Sequence, residues 1–335
     1  MLTIKKYCVL VSIFFFCLSG APADSGPGGS RYSFSLNPLS GILYGQSEEI
    51  VYKYSGEDTY LSQLLWDIKP IVYAGLGADF GPKDIFEGHG FAAKTTVKAG
   101  LPLRSGIIED RDWLNAQHDW LTHYSKHDAH SRFSLLADIS AGYSWRLSSS
   151  LALGLYGEFS YMYFSWSARN GYKQYPNYPP AVKNSEPPWD ESYDKVPTDG
   201  EGIRYRQNWL ILSPALSLHW KISRYFSLDG FFNYTPLIYC ADRDDHLDRV
   251  PVLIFWDYMV FGHYFQWGGA FTLSPKKNLD LSLTVNGRYI MKTRGMTQEK
   301  AGSDPVVQTS NDGAGVGFKA VDFGFYAKFK LTGRD

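Results

Sequence analysis

The sequence predicts an all-β protein: a ten-stranded antiparallel transmembrane β-barrel with long extracellular loops. Three observations point there. Apolar and polar residues alternate with period two over runs longer than the five or six residues typical of soluble strands. A secretory leader precedes them. Short and long connections then take turns along the chain, as they do in outer-membrane barrels.

The leader spans residues 1–23. Lys5 and Lys6 supply its charge, 7–18 its apolar stretch with Phe14, Phe15 and Phe16, and Ala21-Pro22-Ala23 a small-x-small cleavage site. This order of charge, apolar run and cut is that of a signal peptide, and the run is too short to span a bilayer as a helix. Residues 24–335 are expected to form a single barrel domain. Removal of the leader takes Cys8 and Cys17 with it. Cys240 is then alone, so no intrachain disulfide can form.

Composition narrows the class. The 335 residues carry 33 Lys and Arg against 34 Asp and Glu, which argues against a nucleic-acid partner. Aromatic residues make up 16%, a load that a disordered chain lacks. The interior holds no apolar run near twenty residues, which excludes a helical membrane bundle.

The strands follow in order. Residues 33–44 open the barrel. In 64–80, Leu64, Trp66, Ile68, Val72, Leu76 and Phe80 share one side, and in 91–103 Phe91, Ala93, Val97, Ala99 and Leu101 do. Residues 133–145 and 151–163 are joined by Ser148-Ser149-Ser150, and 210–220 and 226–238 by a turn around 222–225. Residues 259–273 lead through 274–278 into 279–291. There Leu279, Leu281, Leu283, Val285, Gly287, Tyr289 and Met291 alternate with Asp280, Ser282, Thr284, Asn286 and Arg288. Residues 323–331 close the chain. Pro70, Pro102, Pro214 and Pro236 fall within these runs, and bulges or strand ends are expected there, since a closed barrel has no edge to hide a missing N–H.

The long connections are 45–60, 104–132, 165–202, 240–257 and 292–314, all at one end of the barrel. The third is rich in Pro and Tyr (Tyr175-Pro176-Asn177-Tyr178-Pro179-Pro180) and reads as a semi-rigid rim. Two polar groups stand out: Asp110-Arg111-Asp112-Trp113 in the second connection and Asp242-Arg243-Asp244-Asp245-His246 in the fourth. In extended chain, residues i and i+2 face the same way, so Asp110 projects with Asp112 and Asp244 with His246. An Asp beside a His fixes its tautomer and stabilises the imidazolium. A second acidic pair across a gap could hold a water against that base, which suits water attack on an amide with no covalent intermediate. Spacing alone also fits plain acidic loops in solvent. His118, His123, His127 and His130 match no recognised zinc spacing and read as a pH-sensitive loop rather than a metal centre.

Six strings, in order, resemble the omptin family, the ten-stranded outer-membrane proteases of Gram-negative bacteria. They are SGILYGQSEEIVY, LSQLLW, EDRDWLN, FSWSARNG, YRQNW and ADRDDHLD. The resemblance implies an endopeptidase of the bacterial outer membrane, with its active site facing the exterior, that cuts peptides and proteins next to Arg or Lys. Asp244 and His246 fall on the family's Asp–His dyad and Asp110 and Asp112 on its facing pair. Glu49 and Asp242 fall on the acids that receive the basic side chain. It implies no cofactor and a monomer. The family's lipopolysaccharide positions carry Phe159, Tyr161, Tyr163 and Asn208, without the family's basic members. The competing reading is a non-catalytic outer-membrane barrel serving as an adhesin or small channel.

Overall fold

The structure is a computed structural model that describes residues 32–54, 57–176 and 185–331. The predicted leader and the rim motif from 177 onward lie outside them. No helix occurs among the described residues. The strands are β1 (Tyr32–Tyr52), β2 (Tyr60–Pro82), β3 (Gly90–Gly100), β4 (Arg104–Asp112), β5 (His123–Arg146), β6 (Leu151–Gln174), β7 (Val196–Pro197) and β8 (Glu201–Lys221). After them come β9 (Phe226–Thr235), β10 (Ile238–His246), β11 (Leu253–Val260), β12 (Tyr264–Lys276), β13 (Leu279–Ala301) and β14 (Val307–Leu331).

These segments make ten antiparallel staves. β3 and β4 form one stave between β2 and β5. β9 and β10 form another beside β8, and β11 with β12 a third beside β13. β6 pairs with β5 and β8, and β14 pairs with β13 and β1, so the ring closes. The two residues of β7 only flank β6. Among the described residues, ring closure leaves the ten staves without a free edge.

The prolines explain the broken staves. Pro102 lies in the gap between β3 and β4, and on β2 the register slips beside Pro70, between the Leu43–Ile71 and Gly45–Ile68 pairs. The two thus share one irregularity. There the Asp67 carboxylate accepts from the Ile107 N–H at 3.2 Å, replacing a ladder bond. Gly106, with φ of 117°, passes so close that a Cβ would meet Asp67. Pro236 lies in the gap between β9 and β10, facing the stretch of β8 that holds Pro214. Each proline without a donor thus meets a neighbour that is itself interrupted.

Outward faces carry a belt of exposed apolar side chains, among them Leu155, Leu216, Phe232, Phe271, Leu283, Val285, Phe323 and Phe325, which a bilayer would cover. Inward faces of the same band are polar and internally paired. Arg288 Nη2 lies 2.7 Å from Asp138, Lys98 pairs with Asp322, and Asn233 donates to Glu158 at 2.8 Å. Lys69, by contrast, points outward and is half-exposed beside Asp67.

Above this polar band an apolar layer fills the lumen. Trp66, Trp166 and Tyr205 are fully buried and mutually stacked, with centroids 5.5 to 6.0 Å apart. Phe164 stacks on Trp166 at 5.1 Å and meets Phe318 at 5.3 Å. Each such pair contributes about 0.5–1.5 kcal/mol beyond burial. The layer blocks the bore, which weighs against the channel alternative.

The predicted long connections are shorter than expected. β1, β5, β6, β8 and β13 run on well past the apolar belt, and β4 and β10 occupy segments assigned to loops. Above the membrane both faces of a strand become polar, so the period-two signal fades while the hydrogen-bonded ladder continues.

Candidate active site above the aromatic layer

Asp110 and Asp112 sit on β4, and Asp242, Asp244 and His246 on β10, so both predicted groups are strand residues rather than loop residues. The i, i+2 rule holds on both. Asp242 and Asp244 turn inward and are almost fully buried, while Arg243 lies half-buried between them on the alternating face. β4 and β10 are not neighbours in the ring, yet Asp110 and His246 line the same small cavity. Its volume is about 20 Å³, room for one water. Ser125, His127, Lys173, Tyr175, Asp248 and Arg249 are the other polar residues of its wall. Asp112 is not part of that wall and stands behind Asp110.

His246 Nε2 donates to Asp244 Oδ2 at 2.6 Å, which leaves Nδ1 as the free base of the ring. Phe255 packs edge-on at 5.7 Å and restricts the imidazole further. Burial works to discharge His246, but the Asp244 and Asp110 carboxylates outweigh it and hold the ring at about 9. Burial, and then the Asp112 charge, push Asp110 up to about 8. Burial also raises Asp112, against a hydrogen bond from Ser62. Ser125 Oγ lies 3.4 Å from Asp110 Oδ2 and 2.9 Å from His127 Nε2. His127 Nδ1–H in turn donates to the Asn170 carbonyl.

A second acidic group lies between this cavity and the aromatic layer. Glu49 projects from β1, Asp242 from β10 and Asp257 from β11, each at most 4% exposed. Asp257 stands directly opposite Asp242 in the β10–β11 ladder. Tyr205, in the aromatic layer, donates to Asp242 at 3.0 Å. Gln207 donates to Tyr205 at 3.0 Å, and Ser47 and Trp209 each donate to Gln207 at 2.9 Å. This chain of bonds fixes one oxygen of Asp242. Four oxygens of the acids here are unmet: Glu49 Oε2, Asp242 Oδ1, Asp244 Oδ1 and Asp257 Oδ1 are all buried without a hydrogen-bond partner. Burial and mutual repulsion raise Glu49 and Asp242 well above the usual carboxylate range and Asp257 to about 7. Carboxylates held this way are in deficit of a cation.

The sequence reading missed Ser125, Tyr175, Arg249 and Asp257. For Asp257 a signal existed, because an acid within the apolar run 253–260 is out of place. For Tyr175 and Arg249, loop positions beyond any periodicity, there was none. The histidines do not converge. His123 and His127 point inward from β5, His130 points outward, and His118 stacks on Trp120. Among the described residues no group of three or more His, Cys, Asp or Glu could hold a metal.

On the outer surface, Tyr161 OH donates to Asn208 at 3.1 Å. Beyond that pair, Arg206 and Arg243 share Asp245, while Arg132, Arg169 and Arg204 share Glu201. Of these basic side chains, Arg169 shares β6 with Tyr161, and Arg204 and Arg206 share β8 with Asn208, while Arg132 and Arg243 lie on the adjoining strands β5 and β10.

Comparison with known proteins agrees with this architecture. The model of the Omptin family matches residues 30–331. The plasminogen activator of Yersinia pestis is 24% identical over 250 residues, covering 73% of this chain and 74% of that protein. The crystal structure of the outer membrane protease OmpT from Escherichia coli superposes with a TM-score of 0.79 at 17% identity. That match covers 92% of this chain and 99% of the other.

Proposed function

The chain belongs to the omptin family, and from that premise we propose that it is an outer-membrane endopeptidase cutting peptides beside Arg or Lys, its active site facing the exterior. The leader over residues 1–23 directs its export. One observation carries the reading: Asp110 and His246, from strands that are not neighbours, line a cavity the size of one water, with Asp244 2.6 Å behind the imidazole.

The mechanism follows from that placement. The water rests between His246 and Asp110. Neutral His246 takes its proton as the oxygen attacks the scissile carbonyl. Asp244 orients the ring and stabilises the imidazolium that forms. Asp112 stands behind Asp110 and tunes its charge. Glu49, Asp242 and Asp257 receive the basic side chain of the substrate, whose cation answers the unmet carboxylate oxygens. The enzyme needs no cofactor and works as a monomer. The five arginines that share Asp245 and Glu201 leave guanidinium donors for the phosphates of outer-leaflet lipopolysaccharide.

Mass-spectrometric mapping of a peptide library cut by the refolded protein tests the reading. Cuts should fall next to Arg and Lys. A digest that ignores basic residues, or no digest at all, would overturn it.

The pH profile has a defined sign. A general base must be neutral, and His246 holds its proton up to about pH 9. The kcat/KM of the free enzyme should therefore rise with pH and level off above about 9. The same shift acts oppositely on the fold. A pKa raised above the unfolded value stabilises the barrel fully below pH 6.5, and that support is lost as pH climbs through 9. A profile already flat at pH 6 would remove His246 from the role of base.

A further inference from the structure

A second chamber occupies the other half of the barrel, beneath the aromatic layer and open at the short-turn end. Its volume is about 880 Å³, within the range of small-ligand sites. Four carboxylates line it: Asp79 pairs with Lys328 at 2.6 Å, Asp84 with Lys221 at 3.2 Å and Asp280 with Lys330 at 2.9 Å, while Asp229 lies 2.6 Å from the His219 ring. Five further cations, Lys83, Lys94, Arg224, Lys276 and Lys277, line the same chamber outside these close pairs, with Lys94 in the field of Asp79, Asp229 and Glu158. The chain as a whole carries a net charge of −1, so this excess is local segregation and not composition.

Position adds to the count. Lys94 lies inside the barrel on β3, its ammonium 5.8 Å from the Tyr156 ring. Arg224 is at the rim in the turn before β9, Lys276 ends β12, and Lys277 follows it in the turn to β13. Depth and rim are thus charged alike. The hydroxyls of Ser35, Thr96, Ser144, Thr272 and Ser282 face the space between them. Low-dielectric walls around a wet cavity with a net excess of one sign focus its field and concentrate counter-ions.

We propose that this chamber is a binding site for a multiply charged anion, phosphate or carboxylate, which enters from the short-turn end. Lysine ammonium groups supply point charges, and the hydroxyls supply donors to the anion's oxygens. The source is either a small soluble anion or the charged end of a polymer on that side of the membrane.

Calorimetric titration of the refolded full chain in uncharged detergent separates the cases. Inorganic pyrophosphate stands for the small anion, and oligoglutamate for the polymer end. Saturable one-site binding of either probe, weakened at least tenfold in Lys94→Gln/Lys276→Gln/Lys277→Gln, is the expected result. Binding of pyrophosphate assigns the small anion, and binding of oligoglutamate alone assigns the polymer. Should the triple variant not fold, Lys276→Gln/Lys277→Gln, confined to one exposed turn, should still weaken binding severalfold. No saturable binding of either probe, or wild-type affinity in the variants, would overturn the proposal. Neither result depends on whether peptides are cut.

Discussion

Alanine at His246 is expected to lower kcat on an Arg-containing peptide by about 10²–10⁴-fold, the usual contribution of a positioned general base. KM should change little, because the ring faces the water cavity and not the acids that receive the substrate side chain. Asp110→Ala should fall in the same range, since it removes the other wall of that cavity. The two residues act on one water molecule, so the double variant should be hardly slower than the slower single variant. Initial rates of the refolded proteins on a quenched fluorescent peptide settle the matter. Wild-type kcat in either single variant would refute the assignment, and multiplicative losses would mean that the two residues do not share a water.

Isosteric loss of charge in the acidic group gives the second large effect. Asp242→Asn should lower kcat/KM at Arg by about 2–5 kcal/mol, or about 30-fold to several thousandfold, the cost of burying a cation without its partner. Asp257→Asn should move in the same direction. Stability should move the other way. Glu49, Asp242, Asp244 and Asp257 repel one another in a buried space, and four of their oxygens are unmet. Removing one charge relieves that repulsion, so urea denaturation of Asp242→Asn should occur at higher concentration than in the parent chain. A variant with unchanged cleavage at Arg, or with lowered stability, would contradict the role given to this group.

The sequence reveals what the bilayer enforces. Where one face meets lipid and the other the lumen, alternation is strict, and Leu279 to Met291 shows both faces residue by residue. All ten staves were legible for that reason. The same constraint ends at the lipid boundary, which is why the outer halves of the staves read as loops. Pairing by i and i+2 nonetheless carried over, because Asp110 with Asp112 and Asp244 with His246 need only extended backbone. That Asp110 and His246 face one another was legible only through the family resemblance and not from spacing, since it depends on the curvature of a closed ring and on strands that share no register. Asp257 was obscured for a simpler reason: its partners Asp242 and Glu49 lie on other strands, and no local window contains them.

The layer of Trp66, Trp166, Tyr205, Phe164 and Phe318 divides the molecule into two aqueous compartments. A membrane densely populated by this protein is therefore expected to show no added conductance in planar-bilayer recordings and no osmotic burden from it. Copy number can rise without short-circuiting the envelope, and the two ends of the barrel can be altered independently, each insulated from the other by a dry aromatic wall.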